Sequence, residues 1–264
     1  MALSDDPLRL DERVAVVTGA ARGIGEATAG LFARYGASLV LCDRVPTATF
    51  PADDGIENRI ERIVDVRDSE AVDALVGEAV EQFGRVDILV NNAGGTFAAP
   101  VLDVSDKGEA MLVAENFTHV TRLVRRVVPV MPAGGSIVNV TSIEAHQASP
   151  GFGIYAAMKA AVESLTRTLA LELAPRSIRV NAIAPDAIAS GGEAVARQEL
   201  IDSAVPYEPV LVPPLGHFGT PDDAARAALY LVTELARFVT GDTIHVDGGN
   251  WAAGGWRRTE LEQQ

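Results

Sequence analysis

Short apolar runs alternate with helically periodic stretches along nearly the whole chain. The runs at 13–17, 38–42, 61–66, 86–90, 136–140, 178–183 and 243–246 are rich in Val, Ile and Leu. Most are bounded by turn-forming residues, the pattern of a buried strand. Between them the period changes. Ala27, Leu31 and Phe32 fall on one helical face that ends at Gly36, and Val72, Leu75, Val76, Ala79, Val80 and Phe83 on another that ends at Gly84. Residues 104–131 predict one long helix with Asn116 inside it, and 156–174 predict another. Thr220, Pro221, Asp222 and Asp223 open a last helix, with an N-cap hydroxyl, a proline at the first position and acids in the first turn. Residues 45–60 and 186–219 carry proline and glycine without periodicity and read as loops. Strand and helix alternating at this spacing predict an α/β fold: a doubly wound, parallel, seven-stranded sheet with helices on both faces. No linker or repeat divides the chain, so one domain is expected over 1–264, with a substrate loop at about 186–219 and a tail at 250–264.

Composition narrows the function. The chain of 264 residues is 48% hydrophobic but only 5% aromatic, so its core leans on Ala, Val, Leu and Ile, which suits such a sheet. A net charge of −14 argues against nucleic acid or an anionic membrane as a general partner. No apolar run approaches the roughly 18 residues of a membrane span. The first residues are polar and acidic, without a signal-peptide core, so a cytoplasmic location is expected. Cys42 is the single cysteine and the histidines show no ligand spacing, so neither a disulfide framework nor a metal site is expected.

The candidate chemistry gathers at strand ends. Gly19, Gly23 and Gly25 lie where the first strand turns into a helix, a place where bare backbone can approach an anion. Asp43 ends the second strand, positioned to accept hydrogen bonds from ribose hydroxyls and to repel a 2′-phosphate. That favours NAD, although Arg44 and Arg22 could each meet a phosphate and leave NADP open. Asp65 ends the third strand, and Asn91-Asn92-Ala93-Gly94-Gly95 follows the fourth. Ser142 follows the fifth strand, and Tyr155 and Lys159 stand four apart, hence on one face of a helix. A nearby ammonium favours phenolate, so this pair could do acid–base work near neutrality. With four tyrosines and two lysines, such a spacing arises by chance in about 3 per cent of compositions, so the pair does not decide alone.

Taken together, Thr18-Gly19-Ala20-Ala21-Arg22-Gly23-Ile24-Gly25, Asn91-Asn92-Ala93-Gly94, Asn116, Ser142, Tyr155-Ala156-Ala157-Met158-Lys159 and the stretch from Pro214 to Gly249 resemble the short-chain dehydrogenase/reductase family over essentially the whole length. The resemblance implies a Rossmann-type fold and an NAD(P)-dependent alcohol dehydrogenase or ketone reductase working as a homotetramer or dimer on a small molecule. It implies Tyr155 as the acid–base, Lys159 holding the nicotinamide ribose and lowering the Tyr155 pKa, Ser142 on the substrate oxygen, and Asn116 anchoring a water. It further implies that Gly19, Arg22, Gly23, Ile24, Gly25 and Asp43 line the pyrophosphate and adenosine site, and Asp65 and Val66 the adenine. Asn92, Ala93 and Gly94 would meet the inner ribose, and Pro185, Ile188 and Ser190 the nicotinamide end. Glu144 and His146 fall where the family lines its substrate pocket. His119, His217 and His245 read as isolated structural or surface residues, and Trp251 and Trp256 as pocket rim or subunit contact. The chain departs from the family's usual Pro-Gly after the sixth strand with Pro185-Asp186.

Three functions compete. The first is NAD-linked oxidation of a secondary alcohol, alicyclic or steroid-like because residues 205–215 are mostly apolar. The second is an NADPH-dependent 3-oxoacyl-thioester reductase, against which Asp43 speaks. The third is a nucleotide-binding protein without catalysis, disfavoured by the intact Ser142, Tyr155 and Lys159.

Overall fold

The computed structural model describes residues 6–47, 58–190, 198–201, 205, 207, 212–254 and 256. Seven strands form one parallel sheet: β1 (Val14–Thr18), β2 (Ser38–Asp43), β3 (Arg59–Ile63), β4 (Ile88–Asn91), β5 (Ser136–Val140), β6 (Arg179–Pro185) and β7 (Thr243–Val246). Their order is β3-β2-β1-β4-β5-β6-β7, so the winding direction reverses between β1 and β4. In open α/β sheets ligands bind outside the carboxyl ends of the strands at such a reversal.

Both faces of the sheet are buried, which is why the strands read as apolar runs rather than alternating ones. Val14, Val16, Val40, Leu89, Ile137 and Val180 point to one face, where α2 (Ser69–Phe83), α4 (His119–Val127) and α5 (Gly153–Leu173) cover them. Ala15, Val17, Leu39, Val90, Val138 and Ile183 point to the other, under α1 (Gly23–Arg34) and α6 (Pro221–Val232). The expected end signals operate. Asp68 caps α2 by accepting from the Glu70 and Ala71 amides, Gly84 stops it at φ 75, and Thr220 and Asp223 form a reciprocal capping box on α6.

One expected element is corrected. The third strand spans Arg59–Ile63 rather than 61–66, because Leu39 N–H takes the Asn58 carbonyl and starts the ladder early. Asp65 and Val66 therefore sit in the turn leading to α2. The helix expected at 104–131 runs without a gap from Asp106 to Val130, as α3 (Asp106–Val113), a π-turn at Ala114–Thr118, α4, and a 3-10 turn at Val128–Val130. The buried Asn116 side chain bonds its own helix carbonyl at Leu112 (3.0 Å), and Pro129 suits the tighter last turn. Among the described residues no helix is long and apolar enough to cross a membrane. Residues 206 and 208–211 of the apolar stretch, part of the 186–219 loop and most of the tail beyond Gly254 lie outside the described residues.

Candidate active site

The chain leaves β1 through Gly19 (φ 65) and enters α1 through Gly23 (φ 61). A Cβ on Gly25 would lie 2.1 Å from the Gly19 carbonyl oxygen, and one on Gly19 would lie 2.8 Å from Asn92 Nδ2, so side chains are excluded from the corner. Arg22 is the N-cap of this 12-residue helix and its side chain accepts nothing, so the first amides and the positive end of the helix remain available to an anion. A dinucleotide pyrophosphate fits that chemistry. Ile24 is packed partly buried beside the core, and the Ser190 Cβ stands 3.4 Å from the place a Cβ on Gly23 would take. The loop after β6 thus folds against the corner.

Thr18 and Asn92 tie this corner to β4. The Thr18 hydroxyl accepts from the Asn92 and Ala93 amides (3.0 Å each), and Asn92 Nδ2 donates to the carbonyls of Thr18 (2.9 Å) and Gly19 (3.0 Å). Asn92, expected at the inner ribose, spends its amide as a brace. Thr18 was not singled out from the sequence; its position at the end of a buried strand was the available signal.

At the adenosine side, Asp43 Oδ2 accepts from the Ala21 amide (3.0 Å), which joins the tip of β2 to the glycine loop. Asp65 pairs with Arg67, and that guanidinium holds its carboxyl below the usual range. Arg122 of α4 donates to the Val66 (3.1 Å) and Arg67 (2.5 Å) carbonyls, pinning the turn that carries Asp65 and Val66.

Ser142, Tyr155 and Lys159 come together between β5 and α5. Lys159 is 5% exposed, donates to the Val140 carbonyl (2.9 Å) and stands 5.5 Å from the Tyr155 ring centroid. Burial pulls its ammonium down to about 8, against the attraction of Glu144 and Glu115. Burial first, and then the Glu144 charge, push Tyr155 above its ordinary range, while its hydrogen bond with Ser142 works the other way. With water excluded, phenolate loses more hydration than the neighbouring cation returns.

Glu144 is therefore part of the cluster, accepting a hydrogen bond from Ser142. Its carboxyl is raised by burial, with Asp186 adding to the effect. Asp186, in place of the family's usual glycine, accepts from Asn250 Nδ2 (2.6 Å) and from the Ala187 amide (2.8 Å). Ala187 follows in left-handed conformation (φ 50), a turn that Asp186 holds. Pro185 closes β6 opposite Val246, and Ile188 bridges to Gly219. Asn116 is fully buried and donates to the Gly95 carbonyl (2.8 Å); its Oδ1 and Lys159 Nζ lie 3.0 and 3.3 Å from the place of a Cβ on Gly94. Gly94 is thus the point where Asn116 and Lys159 converge.

His146 joins an aromatic cluster. Its ring packs 4.5 Å from His245 and 5.2 Å from Trp251, with Nδ1 3.4 Å from a Glu163 carboxylate oxygen. His245, read from the sequence as isolated, thus has a partner. His119, 1% exposed, is pulled to about 3 by burial and then by Lys159, so it is neutral. A cavity of about 880 Å³ opens beyond β6 and β7, lined by Asp186, Ile188, Leu215, Gly219, Asp247 and Trp256 among others. It adjoins the Ser142–Tyr155 cluster through Asp186 rather than covering it. Glu115 and Asn250 are further site residues that the sequence reading missed; an acid within the apolar stretch around Asn116 was the only signal for Glu115.

Comparison with known proteins agrees with this architecture. A family model described as Enoyl-(Acyl carrier protein) reductase matches residues 19–250. An uncharacterized oxidoreductase of Mycobacterium tuberculosis is 38% identical, over 92% of this chain and 94% of that protein. The 3-oxoacyl-[acyl-carrier-protein] reductase of Thermotoga maritima is 36% identical, over 92% of this chain and 99% of its own. Carveol dehydrogenase from Mycobacterium avium, solved in complex with NAD, superposes with a TM-score of 0.78 at 31% identity, over 91% of this chain and 98% of that one. With its sheet order, glycine corner and Ser142–Tyr155–Lys159 cluster, the chain belongs to the short-chain dehydrogenase/reductase family of nicotinamide-dependent oxidoreductases.

Proposed function

We propose that this chain is a cytoplasmic, NAD-dependent oxidoreductase that moves a hydride between the nicotinamide and a secondary alcohol or ketone, alicyclic or steroid-like in skeleton. The observation that carries the reading is the convergence of a half-buried Tyr155 with the buried Ser142 and Lys159, next to a glycine corner open to an anion. The apolar Pro214, Leu215 and Trp256 around the neighbouring cavity support an apolar substrate.

When bound, the nicotinamide accepts or supplies the hydride, which is the cofactor's own chemistry. The protein handles one proton. In oxidation the Tyr155 oxygen takes the hydroxyl proton as the carbon gives up its hydride, leaving a carbonyl; in reduction the phenol returns that proton. Ser142 donates to Glu144 in this structure, and the same hydroxyl, turned to the substrate oxygen, would donate to it while Tyr155 handles the proton. Lys159 holds positive charge beneath the phenol ring and near Gly94, where a ribose would be received.

Asp43 is the residue that supports NAD over NADP, and Asp43→Ala tests it. Wild type should bind NADH more tightly than NADPH by fluorescence titration, and the variant should lose about tenfold or more of that preference. Equal or better binding of NADPH by wild type would overturn the NAD reading. It would favour the second reading, NADPH-dependent 3-oxoacyl-thioester reduction, which the Thermotoga relative keeps in view.

Glu144 supplies a separate expectation. Its negative charge opposes phenolate at Tyr155, so Glu144→Gln removes a charge that raises the phenol. Alcohol oxidation needs the deprotonated phenol, so its rise with pH should move to lower pH in the variant. A kcat/KM profile over pH that coincides with wild type would exclude Glu144 from the electrostatics of Tyr155.

A further inference from the structure

Arg44 and Glu115 meet across the crevice on its adenosine side. Arg44 lies one residue beyond β2, and Glu115 lies in the π-turn between α3 and α4. The guanidinium Nη2 stands 3.3 Å from a Glu115 carboxylate oxygen. β2 and β4 flank β1 in the sheet, so the pair reaches from the tip of β2 toward the loop after β4, over the point where the winding reverses. Glu115 is not a solvated surface acid. It is 8% exposed, and its carboxyl packs against Gly95, where an added Cβ would lie 3.1 Å from Glu115 Cδ. Arg67 and Lys159 also face it electrostatically, and Asp65 faces Arg44.

This arrangement restrains Arg44 in one direction. Arg44 itself is half exposed and long enough to turn toward solvent. Turning it toward a phosphate on the adenosine ribose breaks the ion pair and leaves a buried carboxylate with only its more distant cations, an arrangement that low-dielectric surroundings penalise. A 2′-hydroxyl asks for no such movement, since Asp43 stands next to Arg44 as an acceptor.

We infer that Glu115 is a positioning residue for nucleotide selection: through its ion pair it holds Arg44 across the adenosine crevice, withholding that guanidinium from a 2′-phosphate. Discrimination between the 2′-hydroxyl and 2′-phosphate dinucleotides is then divided between Asp43, which accepts from the hydroxyl, and Glu115, which occupies the nearby cation. The inference rests on the dinucleotide-binding reading above and extends it to a residue outside the glycine corner and the β2 carboxylate. Arg22, exposed in the glycine loop, is unaffected by the pair and serves as the background against which the Arg44 contribution is read.

The test is equilibrium binding of NADH and NADPH, followed by nucleotide fluorescence, to wild type, Glu115→Leu, Arg44→Ala and the double variant. Glu115→Gln, which keeps the shape of the side chain, replaces Glu115→Leu if the latter does not fold. Releasing Arg44 should tighten NADPH by about tenfold while NADH changes by less than about threefold, and the gain should vanish in the double variant. Arg44→Ala alone should leave NADPH affinity within about threefold, because the guanidinium is already occupied. A gain shared equally by both nucleotides, a gain that survives loss of Arg44, or an Arg44→Ala variant that loses NADPH affinity about tenfold would overturn the inference. Wild type that binds neither nucleotide would defeat the proposed function and this inference together. Wild type that binds NADH, with an unchanged nucleotide ratio in the Glu115 variant, would defeat this inference alone.

Discussion

Tyr155→Phe should lower kcat/KM for alcohol oxidation by about three orders of magnitude, the scale of a positioned general acid–base, and leave NADH binding within about threefold. The two halves of that result come from different parts of the crevice. The phenol faces Ser142 and Glu144, within the proton-handling cluster. The anion-binding amides belong to the start of α1, and the ribose side to Asp43 and Gly94, none of which bonds the phenol. Phenylalanine keeps the ring over which the Lys159 ammonium sits, so packing survives while the transferable proton is lost. Stopped-flow measurement of the first turnover, beside a titration of NADH, separates the two effects. Retained turnover would remove Tyr155 as the proton carrier, and lost binding would show that the substitution had disturbed more than one oxygen.

The second large effect concerns a hydrogen atom. Gly25→Ala should abolish measurable dinucleotide binding and destabilise the protein by about 3 kcal/mol, as overpacking a rigid site does. The new Cβ would stand 2.1 Å from the Gly19 carbonyl oxygen and 2.5 Å from Asn92 Nδ2. Neither neighbour is a flexible chain end. Gly19 holds the left-handed turn, and Asn92 is bonded to the Thr18 and Gly19 carbonyls. Helix propensity alone predicts the opposite sign, because alanine in a helix is favoured over glycine by about 1 kcal/mol. Gly77→Ala in α2 is the matched control: it has nothing within 4 Å of the added Cβ and should stabilise by about 0.5–1 kcal/mol. Thermal melts of the two variants should therefore move in opposite directions. Parallel shifts would mean that the Gly25 contact is relieved by local adjustment, and that the corner is softer than its hydrogen bonds imply.

Much of this was legible in the chain because it rests on short-range chemistry. Seven apolar runs, each separated from the next by a loop or a helical period, determine a parallel sheet buried on both faces, and the structure has those seven strands in one sheet. Thr220-Pro221-Asp222-Asp223 announced a helix start because capping is settled within four residues. Tyr155 and Lys159 could be paired from spacing because one turn of helix brings them to one face. What was not legible was of a different kind. The π-turn inside the 104–131 helix carries Asn116, which bonds a carbonyl at Gly95, 21 residues away, and periodicity does not register that contact. The direction of the Tyr155 shift turned on how deeply the cluster is buried and on Glu144 lying beside it, and neither is a property of four-residue spacing. The packing of His146 on His245 and Trp251 joins residues from distant parts of the chain.

The sequence by itself thus determined the order of the elements, the glycine corner and the residue types that carry the proton, since hydrophobic period, turn chemistry and helical spacing are local. Only the tertiary structure decided that Glu144 takes the Ser142 hydrogen, that Asp186 is held by Asn250, and that Arg44 is bound to Glu115. Those three pairings depend on distance and desolvation between side chains, and a charge acquires its strength from the water that folding removes around it.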